Sequence, residues 1–576
     1  MPPATGTAGP RTVAASPAAA SPWPLRPGVI ITVAALLGLG LRVFQLTRPG
    51  HLSGFTQYDD GVYIGNSLRL VDGVIPYRDF AMVQPPGSML LMIPAAFGGK
   101  AFGSAWALAA ARILTVGADT ANIVLAGLLV RHRGALAAGV ASGGYAIYPA
   151  ALSASQSLFL EPWLNLFCLL GAVFLFDGDH VAGRAETTGG EGRAGFHRPL
   201  WAGVCFGFAT AVKIWAALPA LLAWVFCVAG RRDRSDRPAL PFAGGFAAGF
   251  ALPCLPFLIL APSGFGRTVF VSELLQATHG RVGANPRMAD ITGIVGLTSV
   301  GVHPRVWMGA VAAALGFAFV VLAWLRARRA GNPATVLDWF AVVCAFAVIG
   351  MLFSPSEWYE HYAAFAGPFL VVLLALSAAR LSAAARLPSS RESSARQSWA
   401  PRRPPRVRVA AAAGAMAAVA IAVMGAADGY VVTELNPAQD LAAASALIPP
   451  GACVLTDTVS VTIATNRFTA SSPGCPAIVD TVGTLIATTG GKDFAAGRAV
   501  LAADTRVWWQ AFRRAEYVWL VGNSYGYTGA RIAWTPALHA YFERHFKLIG
   551  LAGPFHGSRV VPAGGLYIRK SSAQAR

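Results

Sequence analysis

The chain has 576 residues, 55% of them hydrophobic and only 13% charged, about half the charge of a soluble globular chain. With a mean hydropathy of +0.52, this excludes a disordered or fibrous chain and a single soluble enzyme, and leaves a membrane protein with many spans. The formal charge of +19 comes from arginines at the ends of apolar stretches (Arg131 and Arg133, Arg231 to Arg237, Arg326 to Arg329, Arg380 to Arg408), the pattern of cytoplasmic loops and not of a nucleic-acid-binding face.

Residues 1–27, rich in Ala, Pro, Ser and Thr, read as a disordered cytoplasmic tail. The apolar run from Gly28 to Leu46 is long enough to span and carries Arg42 near its outer end, unlike a cleaved signal. Positive-inside logic then puts the polar loop 48–85 outside. Further apolar stretches lie at 86–98, 105–130, 134–154, 157–176, 199–230, 239–261, 305–325, 336–353, 362–380 and 409–427. The stretch 86–130 must cross an odd number of times, with a break at Gly98-Gly99 and Gly103. The stretch 199–230 has basic or polar flanks on both sides and predicts two short helices meeting near Lys213. The expected architecture is an α-helical polytopic membrane domain over 28–427 with 11 to 13 transmembrane helices.

The last helix delivers residues 428–576 to the outside. There Ala452-Val454-Leu455, Ala477-Ile478-Val479, Tyr517 to Val521 and Leu566 to Ile568 are strand candidates. Helical patterns at 505–514 and 537–546 lie between them, which predicts an extracytoplasmic α/β domain. Cys453 and Cys475 fall in this region and are free to pair in an oxidising compartment, whereas the other five cysteines lie in apolar stretches. No internal repeat, P-loop, dinucleotide fingerprint or zinc-like Cys/His spacing is present.

The first outer loop carries the chemistry. Asp59 and Asp60 are adjacent, flanked by Tyr58 and Tyr63, a few residues beyond the first helix. A carboxylate shielded at the membrane surface rises toward neutrality and suits general-base work on a hydroxyl. The same pair also fits the cap of a short surface helix starting near Gly61. Glu161 opens an apolar helix, where it suits the helix dipole. Lys213 interrupts an apolar stretch, where a charge costs at least ~2.5–3.5 kcal/mol, so it must face a polar cavity or snorkel. His279, Arg281 and Arg287 form a basic loop suited to a lipid phosphate or to headgroups in general. Asp457, Asp480 and Trp508-Trp509 are exposed-loop candidates for sugar contact, with buried packing the competing role for the tryptophans.

Asp59-Asp60-Gly61-Val62-Tyr63, Gly73-Val74-Ile75-Pro76-Tyr77 and Pro85-Pro86 together resemble the first outer loop of GT-C glycosyltransferases. The resemblance is to the ArnT-like and protein O-mannosyltransferase-like branch and extends over residues 28–380. It implies Asp59 as the catalytic carboxylate, with Asp60 in the second acidic position, orienting the acceptor or shaping the field. It implies acceptor or site-shaping roles for Glu161, Tyr63 and Tyr77, and donor-phosphate roles for Lys213, Arg78, His279, Arg281, His361 and Tyr362. One departure is Val83-Gln84 where the family has Glu-Lys before the proline, which moves that lysine's role elsewhere, to Arg78.

The implied partners are a polyprenyl-phosphate sugar donor, membrane lipids and an envelope glycan or protein acceptor. No cofactor is required, and a divalent ion shared by Asp59, Asp60 and Glu161 is not expected. The implied activity is inverting sugar transfer at the outer face of a bacterial cytoplasmic membrane. The alternatives are a transporter or flippase of a lipid-linked sugar, and a non-catalytic envelope scaffold acting through residues 428–576.

Overall fold

The computed structural model of the chain describes residues 26–182, 194–229, 238–271, 283–295, 305, 307–355, 358–384, 441–469, 475, 478–489, 505–521, 531–550 and 564–570. The first helix, α1 (Pro27–Leu46), opens on a proline, which costs nothing where the backbone N–H lacks a helical partner. Helix α2 (Tyr58–Val71) starts before Gly61, so Asp59 and Asp60 lie in its first turn, with Arg69 in the last. Both ends suit the helix dipole. Two short helices, α3 (Gly87–Leu91) and α4 (Ile93–Phe102), lead to the break. Gly103, at φ +95°, turns the chain into the 27-residue α5 (Ser104–Val130). The stretch 134–154 forms α6 (Ala135–Ala146) and α7 (Pro149–Ser155), bent by 51° where the proline cannot continue the helix.

Helix α8 (Glu161–Leu175) ends in a two-residue hairpin, β1 (Phe176–Asp177) with β2 (His180–Val181). The stretch 199–230 divides as expected into α9 (Ala194–Val212) and α10 (Ala217–Ala229), with Lys213 at the break. After α11 (Ala239–Leu260) come helices Ala284–Thr292, Trp307–Arg329, Val336–Leu352 and Gly367–Ala384. Among the described residues five helices are long and apolar enough to cross a membrane, six counting the bent pair, and three shorter apolar helices join them. Length alone therefore does not reach the expected total of 11 to 13 among the described residues, because Glu161–Leu175, Ile214–Ala229 and Val336–Leu352 are apolar but shorter than a full span. The predicted helix 409–427 lies outside the described residues.

Glycines set the closest helix pair. Gly203 and Gly207 of α9, and Gly245 and Gly249 of α11, are each spaced four apart. A β-carbon at any of them would overlap a carbonyl oxygen of the facing helix, those of Phe242, Phe246, Leu200 and Val204 respectively. Two such small-residue faces let backbones touch where lipid offers no hydrophobic drive.

Several polar residues inside the bundle pair into a network. Arg42 donates through Nε to Asp119 Oδ2 at 2.8 Å and through Nη1 to the carbonyls of Gly38 and Ala146. Asp119 also accepts from the Tyr145 hydroxyl at 2.7 Å, and Asn165 donates to that hydroxyl. Arg42 and Asp119 are wholly buried, so this network ties α1, α5, α6 and α8 together.

The C-terminal region folds into a four-stranded sheet, β3 (Val454–Thr456), β4 (Tyr517–Leu520), β5 (Phe546–Gly550) and β6 (Gly565–Arg569). Its order is β3-β4-β6-β5, parallel only between β3 and β4. Three strand candidates are correct. Ile478-Val479 is not a strand; Val479 is buried against Gly65 of α2, and the chain turns into helix Thr481–Thr489. Strand β5 escaped the sequence because its central residues are exposed, as on a sheet edge. Cys453 and Cys475 are disulfide-bonded, with Cα atoms 5.3 Å apart.

Candidate active site

Adjacent residues of a helix point about 100° apart, so Asp59 and Asp60 face different surroundings. Asp60 turns into the bundle and has no exposure. Its Oδ2 accepts from Arg112 Nη2 at 2.5 Å and from the Thr56 hydroxyl at 3.0 Å. Its Oδ1 accepts from the Ser157 hydroxyl and the Leu158 N–H at 2.8 and 2.7 Å. Arg112 also donates to the carbonyls of His51, Leu52 and Gly54, so one ion pair anchors the loop before α2 to α5. With both oxygens engaged, Asp60 sets the position of α2 and has no free atom for a substrate.

Asp59 is partly exposed, and among the described residues nothing donates a hydrogen bond to its carboxylate. Burial from water raises its pKa to about 7, with Asp480, Asp60 and Glu161 adding to the rise and Lys213 opposing it. Tyr63 lies four residues on, one turn along the same face. Its phenol is pushed well up, by burial first and then by Asp59, Glu161 and Tyr362.

Lys213 occupies the gap after α9 with extended backbone, φ −151° and ψ 130°. Its Nζ donates to Glu161 Oε1 at 2.9 Å and sits 3.6 Å above the Trp215 ring and 4.3 Å from that of Tyr362. Both charged groups are buried, at 4% and 1% exposure, so pairing and the ring faces replace water around the ammonium. Glu161 Oε2 is buried with no hydrogen-bond partner among the described residues. His361 stacks on Phe159 at 3.8 Å and meets Tyr362 edge-on. Gly87, at the start of α3, sits close to the Ala211-Val212 peptide, where a β-carbon would crowd the backbone just before Lys213.

Asp59, Tyr63, Glu161, Lys213, His361 and Tyr362 thus converge. Other predicted residues do not join them. Tyr77 sits at φ +66° in a tight turn, donates to the Gln84 carbonyl at 2.6 Å and packs edge-on against Phe257 and Phe265. Arg78 is exposed and forked onto Asp79, with both bonds at 2.8 Å. His279 and Arg281 lie outside the described residues. Arg287 is buried and donates to the Leu352 and Pro355 carbonyls, fixing a turn. Asp59, Asp60 and Glu161 do not converge as ion ligands, and no group of three potential ligands does so among the described residues. Asp457 is buried and accepts from the Val521 N–H, while Trp508 is wholly buried and Trp509 packs on Tyr541.

Sequence reasoning misplaced Asp480, which is not an exposed sugar contact. It is 4% exposed, and its Oδ1 accepts from the Tyr58 hydroxyl at 2.9 Å. The Ser460 hydroxyl donates to the Tyr58 carbonyl and accepts from the Gly61 N–H, at 2.7 and 2.9 Å. The C-terminal domain thus rests on the helix that bears Asp59. Tyr58 and Asp480 stand 422 positions apart, so no local pattern links them.

No family model and no curated protein matches the chain. Solved structures do. ArnT from Cupriavidus metallidurans in the apo state superposes with a TM-score of 0.55 at 13% identity, covering 94% of this chain and 97% of that one. ArnT bound to undecaprenyl phosphate gives 0.50 at 15% identity, covering 76% and 84%. The archaeal oligosaccharyltransferase AglB from Archaeoglobus fulgidus, in complex with an inhibitory peptide and a dolichol-phosphate, gives 0.51 at 14%, covering 95% and 74%. The chain is a multi-pass membrane protein. Its architecture is the GT-C fold that these glycosyltransferases share.

Proposed function

We propose that the chain is an inverting glycosyltransferase that moves a sugar from a polyprenyl-phosphate donor to an envelope acceptor at the outer membrane surface. The observation that carries this reading is Asp59: a partly exposed carboxylate that accepts no hydrogen bond among the described residues, held near neutrality and within the field of a buried lysine at a helix break. Asp59 takes the proton from an acceptor hydroxyl as its oxygen attacks the anomeric carbon. The bond from that carbon to the phosphate oxygen breaks, and the departing polyprenyl phosphate carries the electron pair toward Lys213. One displacement inverts the anomeric configuration. The tail of the lipid stays in the bilayer, and the break at Lys213 gives its phosphate a polar station at the membrane edge. The GT-C fold shared with an undecaprenyl-phosphate-bound ArnT supports this choice of donor.

The test uses the full chain in proteoliposomes with undecaprenyl phosphates carrying radiolabelled pentoses or hexoses, and an envelope extract as acceptor. Label should leave the lipid phase with the wild type, and D59N should reduce that transfer by about 10²–10⁴-fold while undecaprenyl phosphate still binds. Unchanged transfer by D59N removes the assignment.

A further inference from the structure

Asp480 makes contacts that the mechanism does not use. It lies at the start of helix Thr481–Thr489, and its Oδ1 accepts from the Gly483 N–H at 2.7 Å, an ordinary N-cap bond. Capping needs only this one bond. The same oxygen also accepts from Tyr58, whose hydroxyl in turn accepts from the Val482 N–H at 3.0 Å. The guanidinium of Arg531 lies 4.3 Å from the Tyr58 ring centroid, which closes the far side. Tyr58 immediately precedes Asp59, so the group that the C-terminal domain grips is the first residue of α2.

We propose that Asp480 is a positioning residue of the active site, supplied by the C-terminal domain: it holds Tyr58, the residue before Asp59, at the start of α2, so that proton capture by Asp59 depends on domain docking. This rests on Asp59 being the base. The grip on Tyr58 and Gly61 stands without any titration, and the electrostatics agree with it. After burial, Asp480 is the largest influence raising Asp59, ahead of Asp60 and Glu161, and Lys213 opposes all three. Burial raises the Asp480 carboxyl too, opposed first by the Gly483 N–H, then by Tyr58, the Val482 N–H and Arg531. Tyr63 completes the titratable groups facing Asp59 from α2. The domain therefore does more than cover the site. Without it α2 keeps Asp59, but as an ordinary, less basic carboxylate.

The experiment reads the proton affinity of Asp59 directly. The full chain in nanodiscs is treated with dicyclohexylcarbodiimide, which modifies protonated carboxyls, across pH 4 to 9, and Asp59 labelling is resolved by mass spectrometry. Asn caps a helix as well as Asp, so D480N removes the charge and keeps the cap. The wild-type midpoint should lie near pH 7. D480N should lower it by about one unit or more, the usual effect of losing a neighbouring like charge, and D480E should hold it. Y58F, which deletes the donor to Asp480, should also move the midpoint down, and it decides the matter if D480N does not fold. A midpoint unmoved in the folded D480N protein, or in Y58F if D480N fails, overturns the proposal. Labelling needs neither donor nor acceptor, so loss of the base assignment through unchanged D59N transfer is a separate result.

Discussion

Changing each of the paired aspartates to Asn tests the division of labour between them. In D60N the Arg112 guanidinium loses its counter-charge inside the protein, and one oxygen facing two donors or the arginine becomes an NH2 group. Breaking a buried ion pair from one side costs about 3–5 kcal/mol. Arg112 keeps three carbonyl acceptors, His51, Leu52 and Gly54, at 2.7, 3.1 and 3.0 Å, which puts D60N at the lower end, about 3 kcal/mol. Since ~1.4 kcal/mol is a factor of ten, opening of α2 should rise roughly a hundredfold. Hydrogen exchange of the amides of residues 58–71 reads this directly.

D59N should behave in the opposite sense. A carboxyl raised to about 7 from 3.8 favours the native state only while protonated. That contribution is complete below the unfolded value and lost as pH rises through 7. At pH 8, D59N should therefore protect α2 as well as the wild type or better, while sugar transfer collapses. Loss of protection in D59N comparable to that in D60N, or full protection in D60N, refutes the separation of roles.

Three further outcomes follow from the same geometry. Transfer should fall about tenfold per pH unit below pH 7 and level off above it, because Asp59 acts only when deprotonated; a flat profile from pH 5 to 8 would remove it as the base. E161Q should free Lys213 from its 2.9 Å partner, tightening undecaprenyl phosphate binding, while K213M should weaken binding and leave Glu161 buried alone. Quenching of Trp215, 3.6 Å beneath the ammonium, reports both, and equal affinities in the two variants count against a phosphate role. G207L should drive α9 from α11 and lower thermal stability in detergent, whereas Gly244, with nothing within 4 Å of a β-carbon, should accept Ala with little change; similar losses in both would contradict the contact.

Local chemistry made much of the molecule legible. Apolar length located most of the helices, the charge at Lys213 marked the division between α9 and α10, and alternating patterns gave three of four strands. The loop motif pointed to Asp59, and the resemblance also named Tyr63, Glu161, Lys213, His361 and Tyr362, which the fold brings together. Composition alone was less reliable for cations. Arg78 and Arg287 have the right charge for a phosphate, yet one is forked on its neighbour Asp79 and the other bonded to two carbonyls.

A few consecutive residues are enough to fix helix length, breaks, and the acidic pair just past the first span. Which aspartate is spent on Arg112 and which is left open, and the meeting of Asp480 and Tyr58 across 422 positions, follow only from the folded chain. The physical reason is that a carboxylate's chemistry is set by desolvation and by the charges around it. Those neighbours come from α5, α8, the break at Lys213 and the C-terminal domain, and the chain brings them together only when it folds.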